Sequence, residues 1–332
     1  MNYEMLLKDA WRMTWRNRFM WVLGLFAGGT SAGVSYQGSM PIGPANGSPS
    51  NVLPPNALPM MQEAFIGATR WVFANLAFVV FLVVLGITIF LTLLVVSFIA
   101  RGAVVRAAVD LEAGQPTSLS AAWRAGRHLF WRQVRLTLVL AGLGICVALV
   151  VVGLIAMPIF AGSIFGTGRP VGIMLALLVG VPAALLLVVG GTVLGIVVNY
   201  ALRAIVVDGV GAVDSLRLGW RTLRAHKSAS VLTLLVSIAA MIGAAFVMVV
   251  VLIAILAVGG GIGVAIWAMA GMTPPFIAYA IVAVLLIFGI LVVLSAIINT
   301  FFWNYWTLAY LRINSTTPAA AQSHPVESPS VE

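Results

Sequence analysis

The stretch FLVVLGITIFLTLLVVSFIA, residues 81–100, decides the class of fold. It contains no charged side chain, and a helix of about 20 residues, rising about 1.5 Å per residue, crosses the roughly 30 Å hydrocarbon core of a bilayer. The rest of the chain agrees with it, because 62% of the 332 residues are hydrophobic and 8% are charged, whereas soluble domains carry about 25% charged residues. The sequence therefore predicts an all-α, polytopic integral membrane protein.

Further apolar runs on both sides of this stretch predict about six transmembrane helices in all. The first run is weakened by Gly28 and Gly29. The fifth contains the glycines at 259–261 and 263, which we expect to end its helix near residue 258 and to leave 262–270 as an interfacial segment or a helical extension. The predicted spans are approximately residues 19–36, 71–100, 136–160, 171–201, 231–258 and 276–311.

Two segments outside the spans have a distinct composition. Residues 37–70 are rich in Gly, Ser, Asn and Pro and predict an external loop, with a short surface helix between Pro59 and Arg70. Residues 313–332 contain Pro, Ala and Ser and predict a disordered cytoplasmic tail. The chain thus divides into a transmembrane domain, residues 1–312, and a tail, residues 313–332.

The positions of the basic residues predict the orientation of the spans. With the amino terminus taken as cytoplasmic, only Arg70 and Arg169 among the 18 Lys and Arg residues fall outside. Because cytoplasmic loops are enriched in Lys and Arg, this bias predicts six spans with both termini in the cytoplasm. The alternative, a secretory signal peptide over residues 1–32, is disfavoured by Glu4 and Asp9 in what would be its basic region.

An internal repeat becomes visible when the chain is aligned with itself at an offset of 97 residues. A weaker third copy at the amino terminus comprises Leu7, Trp11, Arg12 and Arg16. Because each copy precedes an odd-numbered span, the predicted unit is an amphipathic cytoplasmic helix followed by a helical hairpin, used three times. The identities at offset 97 are Arg106 with Arg203, Ser118 with Ser215, Leu119 with Leu216, Trp123 with Trp220, Arg124 with Arg221, and Arg127 with Arg224.

Each copy predicts a helix with one apolar and one basic face, since successive residues are rotated by about 100°. We expect these helices to lie flat at the membrane interface, with Thr117 and Asp214 as N-caps, tryptophan at the headgroup level and arginine near lipid phosphate. The alternative is that they only anchor and orient the spans. The candidate interfacial residues are Trp11, Arg12, Arg16, Trp123, Arg124, Arg127, Trp220, Arg221 and Arg224.

The interior of the predicted spans carries only neutral polar residues, which disfavours carboxylate-driven proton coupling. Glycines four residues apart, such as Gly24 and Gly28, predict close packing of helices. Pro182 and the glycines around it predict a kink in the fourth span. Transporters use such broken helices at substrate sites, although proline kinks also occur without a function.

No residue pattern indicates chemistry. His128, His226 and His324 lack the spacing of a metal site, Cys146 is the single cysteine, and neither a phosphate-binding loop nor a nucleophile elbow occurs. We therefore expect no catalytic residue, no cofactor and no metal. The net charge of +9 is distributed over short segments between apolar runs, so we expect anionic lipid headgroups, and not nucleic acid, as the partner.

Three motifs carry a resemblance to known proteins: WRNRFMWVLGLF at 15–26, AVDSLRLGWR at 212–221 and WTLAYLR at 306–312. They resemble uncharacterised bacterial multi-pass proteins related to the membrane domain of glycerophosphoryl diester phosphodiesterases. In the full enzymes of that kind a separate soluble barrel carries the hydrolytic residues, and we expect no such barrel in this chain. The resemblance therefore implies a multi-pass protein of a bacterial inner membrane and assigns no catalytic residue.

Together these observations predict a non-enzymatic membrane protein, structural or accessory or lipid-contacting, with a basic cytoplasmic surface. Its expected partners are membrane lipids with anionic headgroups, with a protein partner or a second copy of the chain as further candidates. Two alternatives stay open at this stage. One is a transporter or exporter of an apolar or amphipathic solute that uses the kinked fourth span, and the other is a lipid-modifying membrane enzyme.

Overall fold

The computed structural model describes residues 2–28, 57–164, 169–271 and 273–315. Within these ranges the chain is helical and contains no β-strand, which confirms the all-α prediction. The helices are α1 (Tyr3–Arg16), α2 (Phe19–Gly28), α3 (Ala57–Ala74), α4 (Leu76–Glu112), α5 (Leu119–Ile164), α6 (Arg169–Val207), α7 (Ala212–Ala225), α8 (Lys227–Ala270) and α9 (Pro274–Ser315).

Five of these helices, α4, α5, α6, α8 and α9, are long and apolar enough to cross a membrane. The multi-pass architecture predicted from hydropathy is therefore confirmed for these five. The predicted first span corresponds to α2, which is apolar but has 10 residues. The remainder of that span, residues 29–36, lies outside the described residues.

Helix α8 differs from its prediction. It runs without a break from Lys227 to Ala270, so the glycines at 259–261 and 263 do not end it near residue 258, and residues 262–270 form the helical extension that was the second alternative. Glycine keeps its backbone N–H and can continue the helical hydrogen bonds at a cost of about 1 kcal/mol. The glycines also make room for α9, because the Tyr279 hydroxyl donates to the Gly259 carbonyl oxygen and the Tyr279 ring would lie 3.2 Å from a Cβ at Gly263.

Helix α5 differs as well, because it is one continuous helix of 46 residues, about 69 Å long. The expectation of a separate helix lying flat at the interface is therefore wrong for the second copy of the repeat. The first and third copies do have a break before the apolar helix. Helix α1 ends at Arg16 and is followed by Asn17, whose side chain donates to the Met13 carbonyl (3.0 Å), and α7 ends at Ala225 and is followed by His226.

Both predicted N-caps are shifted. Helix α5 begins after Ser118, whose hydroxyl accepts a bond from the Ala121 amide (3.4 Å), so Thr117 is one residue too early. Helix α7 begins after Gly211, which places Asp214 in the first turn. An acidic residue there still interacts favourably with the positive end of the helix dipole.

The chain forms two compact units, and the smaller one comprises residues 32–96. Its described part consists of α3 and the apolar first part of α4, separated by a turn at Asn75, whose side chain donates to the Trp71 carbonyl (2.9 Å). The predicted loop at 37–70 is thus helical from Ala57 onward. Residues 37–56 and the tail beyond Ser315 lie outside the described residues.

The larger unit comprises residues 1–31 and 97–332. Among residues whose exposure is described, all the buried ones lie at residues 3–27, 97–136, 196–237 and 296–313, which we call the packed end. Three hydrophobic clusters join helices α1, α2 and α4–α9 there. Beyond the packed end the helices present large apolar side chains outward, as expected for surfaces in contact with lipid, where the solvent is as apolar as the side chains.

Candidate functional site

Helix α1 has one buried face, and the rest of its surface is exposed. The Asn2 side chain caps it by accepting from the Glu4 and Met5 amides (3.1 and 3.2 Å). Leu6, Ala10 and Thr14 are buried and fix the rotation of the helix. The exposed side chains Trp11, Arg12, Trp15 and Arg16 consequently point away from the core. The amphipathic helix predicted for the first copy is present.

Helix α7 has the same design. Its buried residues are Ser215, Gly219, Thr222 and Leu223, and Gly219 lets the helix approach α6 so closely that a Cβ there would meet the Val197 carbonyl oxygen at 2.6 Å. Trp220, Arg221 and Arg224 are exposed, and the Arg224 guanidinium lies over the Trp220 ring at 4.8 Å. This contact is a cation–π interaction between two of the predicted interfacial residues.

The first turns of α5 carry the second copy. Ala122 and Gly126 are buried, Trp123 is half-buried, and Arg124 and Arg127 are exposed. In all three copies the residue immediately before the tryptophan is small and buried: Ala10, Ala122 and Gly219. A small residue there lets the helix backbone pack closely while the next two side chains remain at the surface.

The nine predicted interfacial residues therefore lie on surfaces of the packed end, with Trp11 and Trp220 exposed and Trp123 partly covered. Among the residues that the structure describes, no ion pair joins the six arginines of this set to a carboxylate. We call these six the arginine surface: Arg12, Arg16, Arg124, Arg127, Arg221 and Arg224.

A cleft of about 420 Å³ adjoins α1. One wall is the face of α1 that carries Arg12, Met13 and Arg16, and the other is the connection from α4 to α5. The cleft is an open groove at the protein surface and not an enclosed cavity. The cleft is lined by Asp9, Arg12, Met13, Arg16, Asn17, Leu111, Glu112, Gly114, Gln115 and Pro116.

The α4 side of the cleft is built by a glycine-capped helix end. Gly114 has a φ of +73°, the Gln115 amide donates to the Asp110 carbonyl (2.8 Å), and the Gly114 amide donates to the Leu111 carbonyl (3.1 Å). These two bonds are those of a Schellman motif, which satisfies the last carbonyls of a helix. The position of Gln115 beside the cleft is thus set by a defined turn.

Arg312 of α9 joins both walls of the cleft. Its Nη2 atom lies 2.6 Å from Asp9 Oδ2 and 3.3 Å from Glu112 Oε1, so one guanidinium links α1, α4 and α9. The two carboxylates of the cleft are engaged by Arg312 and not by Arg12 or Arg16. The arginines of the cleft are therefore available to an external anion.

Arg203 of α6 is buried, which the sequence does not indicate. Its side chain is 1% exposed, its Nη1 atom donates to the carbonyl and side-chain oxygens of Asn199 (2.8 and 2.9 Å), and its guanidinium lies 4.9 Å from the Trp303 ring. Its Nε atom has no hydrogen-bond partner among the described residues. The alignment pairs it with Arg106, which forms an ion pair with Asp110 (3.0 Å), so equivalent positions have different environments.

Four tyrosine hydroxyls connect helices inside the packed end, and one of them, that of Tyr3 in α1, donates to the Ala229 carbonyl of α8 (3.2 Å). Tyr200 bonds the Ser230 hydroxyl (3.0 Å), Tyr305 donates to the Thr233 carbonyl (2.9 Å), and Tyr310 donates to Asp208 (2.7 Å). These bonds tie α6 and α9 to each other and to α8. The arginine surface is thus carried on a cross-linked scaffold.

The remaining sequence predictions concern the kink in the fourth span, the glycine pairs and a metal site. Helix α6 continues through Pro182, which is exposed, so the kink there stays a prediction. Gly24 and Gly28 do pack against α9, since a Cβ at either would meet Thr300 or Asn299 at about 2 Å. In the described part of the chain, no group of three or more His, Cys, Asp or Glu residues could hold a metal ion.

The five long apolar helices and their packed end define the class of this protein, a polytopic α-helical membrane protein. Within that class, the chain belongs to a family of unknown function, DUF7544, whose model matches residues 9–316 and so includes all nine interfacial residues. No curated protein and no solved structure matches the chain.

Proposed function

We propose that the chain crosses a bacterial inner membrane six times, as three related units of an amphipathic segment and a helical hairpin, with both termini in the cytoplasm; in the second unit the amphipathic segment is continuous with its span. The apolar character of α2 supports the first span. The small buried residue before the tryptophan in each copy supports the repeat. The excess of basic residues on the connections at the packed end supports the orientation.

We further propose that the protein is a non-enzymatic structural or accessory component whose packed end binds anionic lipid headgroups of the cytoplasmic leaflet. The arginine surface carries this proposal, because its six exposed arginines, which have no carboxylate partner among the described residues, lie beside tryptophans on amphipathic segments. Each basic residue near an anionic membrane contributes about 1 kcal/mol, so the six act collectively. A protein partner or a second copy of the chain is compatible with the same surface, and nucleic acid is not part of the proposal.

The same proposal extends the resemblance in the sequence to function. We place the chain with membrane domains like those of glycerophosphoryl diester phosphodiesterases, acting at the lipid surface without hydrolytic residues of its own. The exposed arginines support a binding role, since an arginine cluster recognises phosphate geometry without any chemical step.

The test is charge reversal in the full chain at Arg124, Arg127, Arg221 and Arg224. We expect the purified variant to retain less anionic lipid than the unchanged protein, or to insert with altered orientation. Orientation is measured with an impermeant thiol reagent at the exposed positions Ala121→Cys or Ala225→Cys in a Cys146→Ser background. The matched control replaces the same four arginines by lysine, which preserves the charge. Unchanged lipid retention together with unchanged orientation would remove the proposal.

A further inference from the structure

The cleft beside α1 is chemically distinct from the rest of the arginine surface. Arg12 and Arg16 are four residues apart on one helix, so their side chains start about 6 Å from each other and can reach one small anion. Both line the cleft, together with the Asn17 and Gln115 side chains. Guanidinium groups bind phosphate oxygens through paired, charge-assisted hydrogen bonds.

The net charge of the cleft selects the ligand. Arg12, Arg16, Asp9 and Glu112 line the cleft, and Arg312 bonds both carboxylates from outside the lining, so these five charged groups sum to a charge of +1. A ligand with a single negative charge neutralises the site. With a zwitterion bound, the site keeps a charge of +1. With a dianion bound, the site has a charge of −1 close to Asp9 and Glu112.

The location of the cleft identifies the source of the anion. Helix α1 ends at Arg16 and the apolar helix α2 begins at Phe19, so the cleft lies where the chain passes from a polar to an apolar helix. Met13, Leu111 and Pro116 give it apolar walls. Such a position corresponds to the headgroup level of a bilayer, where a lipid phosphate meets apolar side chains.

We infer that this cleft binds one molecule of a phosphodiester lipid with a net charge of −1, of the phosphatidylglycerol class, through Arg12 and Arg16. Arg312 acts as a positioning residue, because it holds Asp9 and Glu112 away from the phosphate. The inference rests on the proposed function in that it places the cleft at the lipid surface. The cleft is thus a single site that holds one lipid per chain with a headgroup charge of −1.

The experiment measures one-to-one lipid adducts of the full chain by native mass spectrometry in detergent, with phosphatidylglycerol, phosphatidylethanolamine and phosphatidate as probes. We expect phosphatidylglycerol to be retained most strongly. Arg12→Gln with Arg16→Gln weakens its retention at least about tenfold, the effect of losing one or more charge-assisted hydrogen bonds. The control, Arg135→Gln with Lys227→Gln, removes two exposed charges outside the cleft and changes retention by less than about twofold, the range of minor surface effects.

Two further variants keep the test independent of folding. Arg12→Lys with Arg16→Lys preserves the charge but not the paired hydrogen bonds, and we expect intermediate retention. Glu112→Gln raises the excess charge of the cleft by one, so we expect the preference to move toward the dianionic phosphatidate.

Several results would overturn the inference: equal retention of phosphatidylethanolamine, an equal loss in the control variant, or displacement of the lipid by an equal concentration of inorganic phosphate. The last would assign the site to free phosphate. The two proposals fail separately, because charge reversal at 124, 127, 221 and 224 tests bulk enrichment of anionic lipid, whereas the cleft variants test a single bound molecule.

Discussion

The closest approach between α4 and α5 offers a sharp test of the packing. A Cβ built on Gly126 would lie 2.3 Å from the Ile99 carbonyl oxygen and 3.0 Å from the Ala103 amide nitrogen. Carbon–oxygen contacts between helices normally measure about 3.3–3.6 Å. Gly126→Ala therefore requires the two backbones to separate by about 1 Å, since the obstructing atoms belong to a helix backbone and cannot rotate away.

The magnitude follows from two opposing effects. Overpacking of this kind costs about 1–3 kcal/mol, while replacing glycine by alanine in a helix contributes up to about 1 kcal/mol of stability. Gly142, on the same helix α5, has no atom within 4 Å of an added Cβ, so Gly142→Ala experiences only the second effect. We expect the free energies of unfolding of the two variants to differ by about 1–3 kcal/mol, with Gly126→Ala the less stable.

The assay is reversible unfolding of the purified full chain in mixed micelles by increasing fractions of denaturing detergent, followed by circular dichroism. Comparing two alanine variants of one helix cancels helix propensity and most effects on the unfolded state. Equal free energies for Gly126→Ala and Gly142→Ala would refute the close α4–α5 contact, and with it the rotation of α5 that exposes Arg124 and Arg127.

Two other predictions concern the packed end. Arg203→Met should leave the melting temperature unchanged or raise it, because replacing a buried ion by an apolar side chain of similar volume is often neutral or stabilising. Trp303→Ala should lower the melting temperature, because it leaves the guanidinium without its ring partner. Thermal unfolding of both variants in detergent checks this, and a larger loss of melting temperature for Arg203→Met would contradict it. Gly114→Ala should destabilise the chain by about 1–2 kcal/mol, the cost of a left-handed conformation for a residue with a Cβ, and should weaken lipid retention in the cleft. Detergent unfolding measures the first effect and native mass spectrometry the second. An unchanged stability would contradict the Schellman turn.

Contacts inside the packed end fix the positions of the helices that carry the arginine surface. Bonds such as Tyr305 to Thr233 and Arg312 to Asp9 join helices that are far apart in sequence. Outside this end, the helices present apolar faces that lipid solvates as well as protein does. Polar contacts and small residues at the packed end therefore determine the arrangement of the helices there, and lipid contact suffices for the remainder.

Much of this protein follows from the sequence by itself. The apolar run at 81–100 suffices for a membrane class, because the cost of exposing such a segment to water depends on composition and not on its neighbours. Helical periodicity likewise predicts a basic exposed face on α1 and α7, since it is a local property.

Only the tertiary structure decides how equivalent residues are used. Arg106 and Arg203 align in the repeat, yet one is ion-paired and the other is buried against Trp303. Gly126 and Gly142 are the same residue on the same helix, yet only Gly126 touches another backbone. The cleft joins α1 to a turn about 100 residues later. Such differences depend on which distant segments pack together, and neither local periodicity nor composition contains that information.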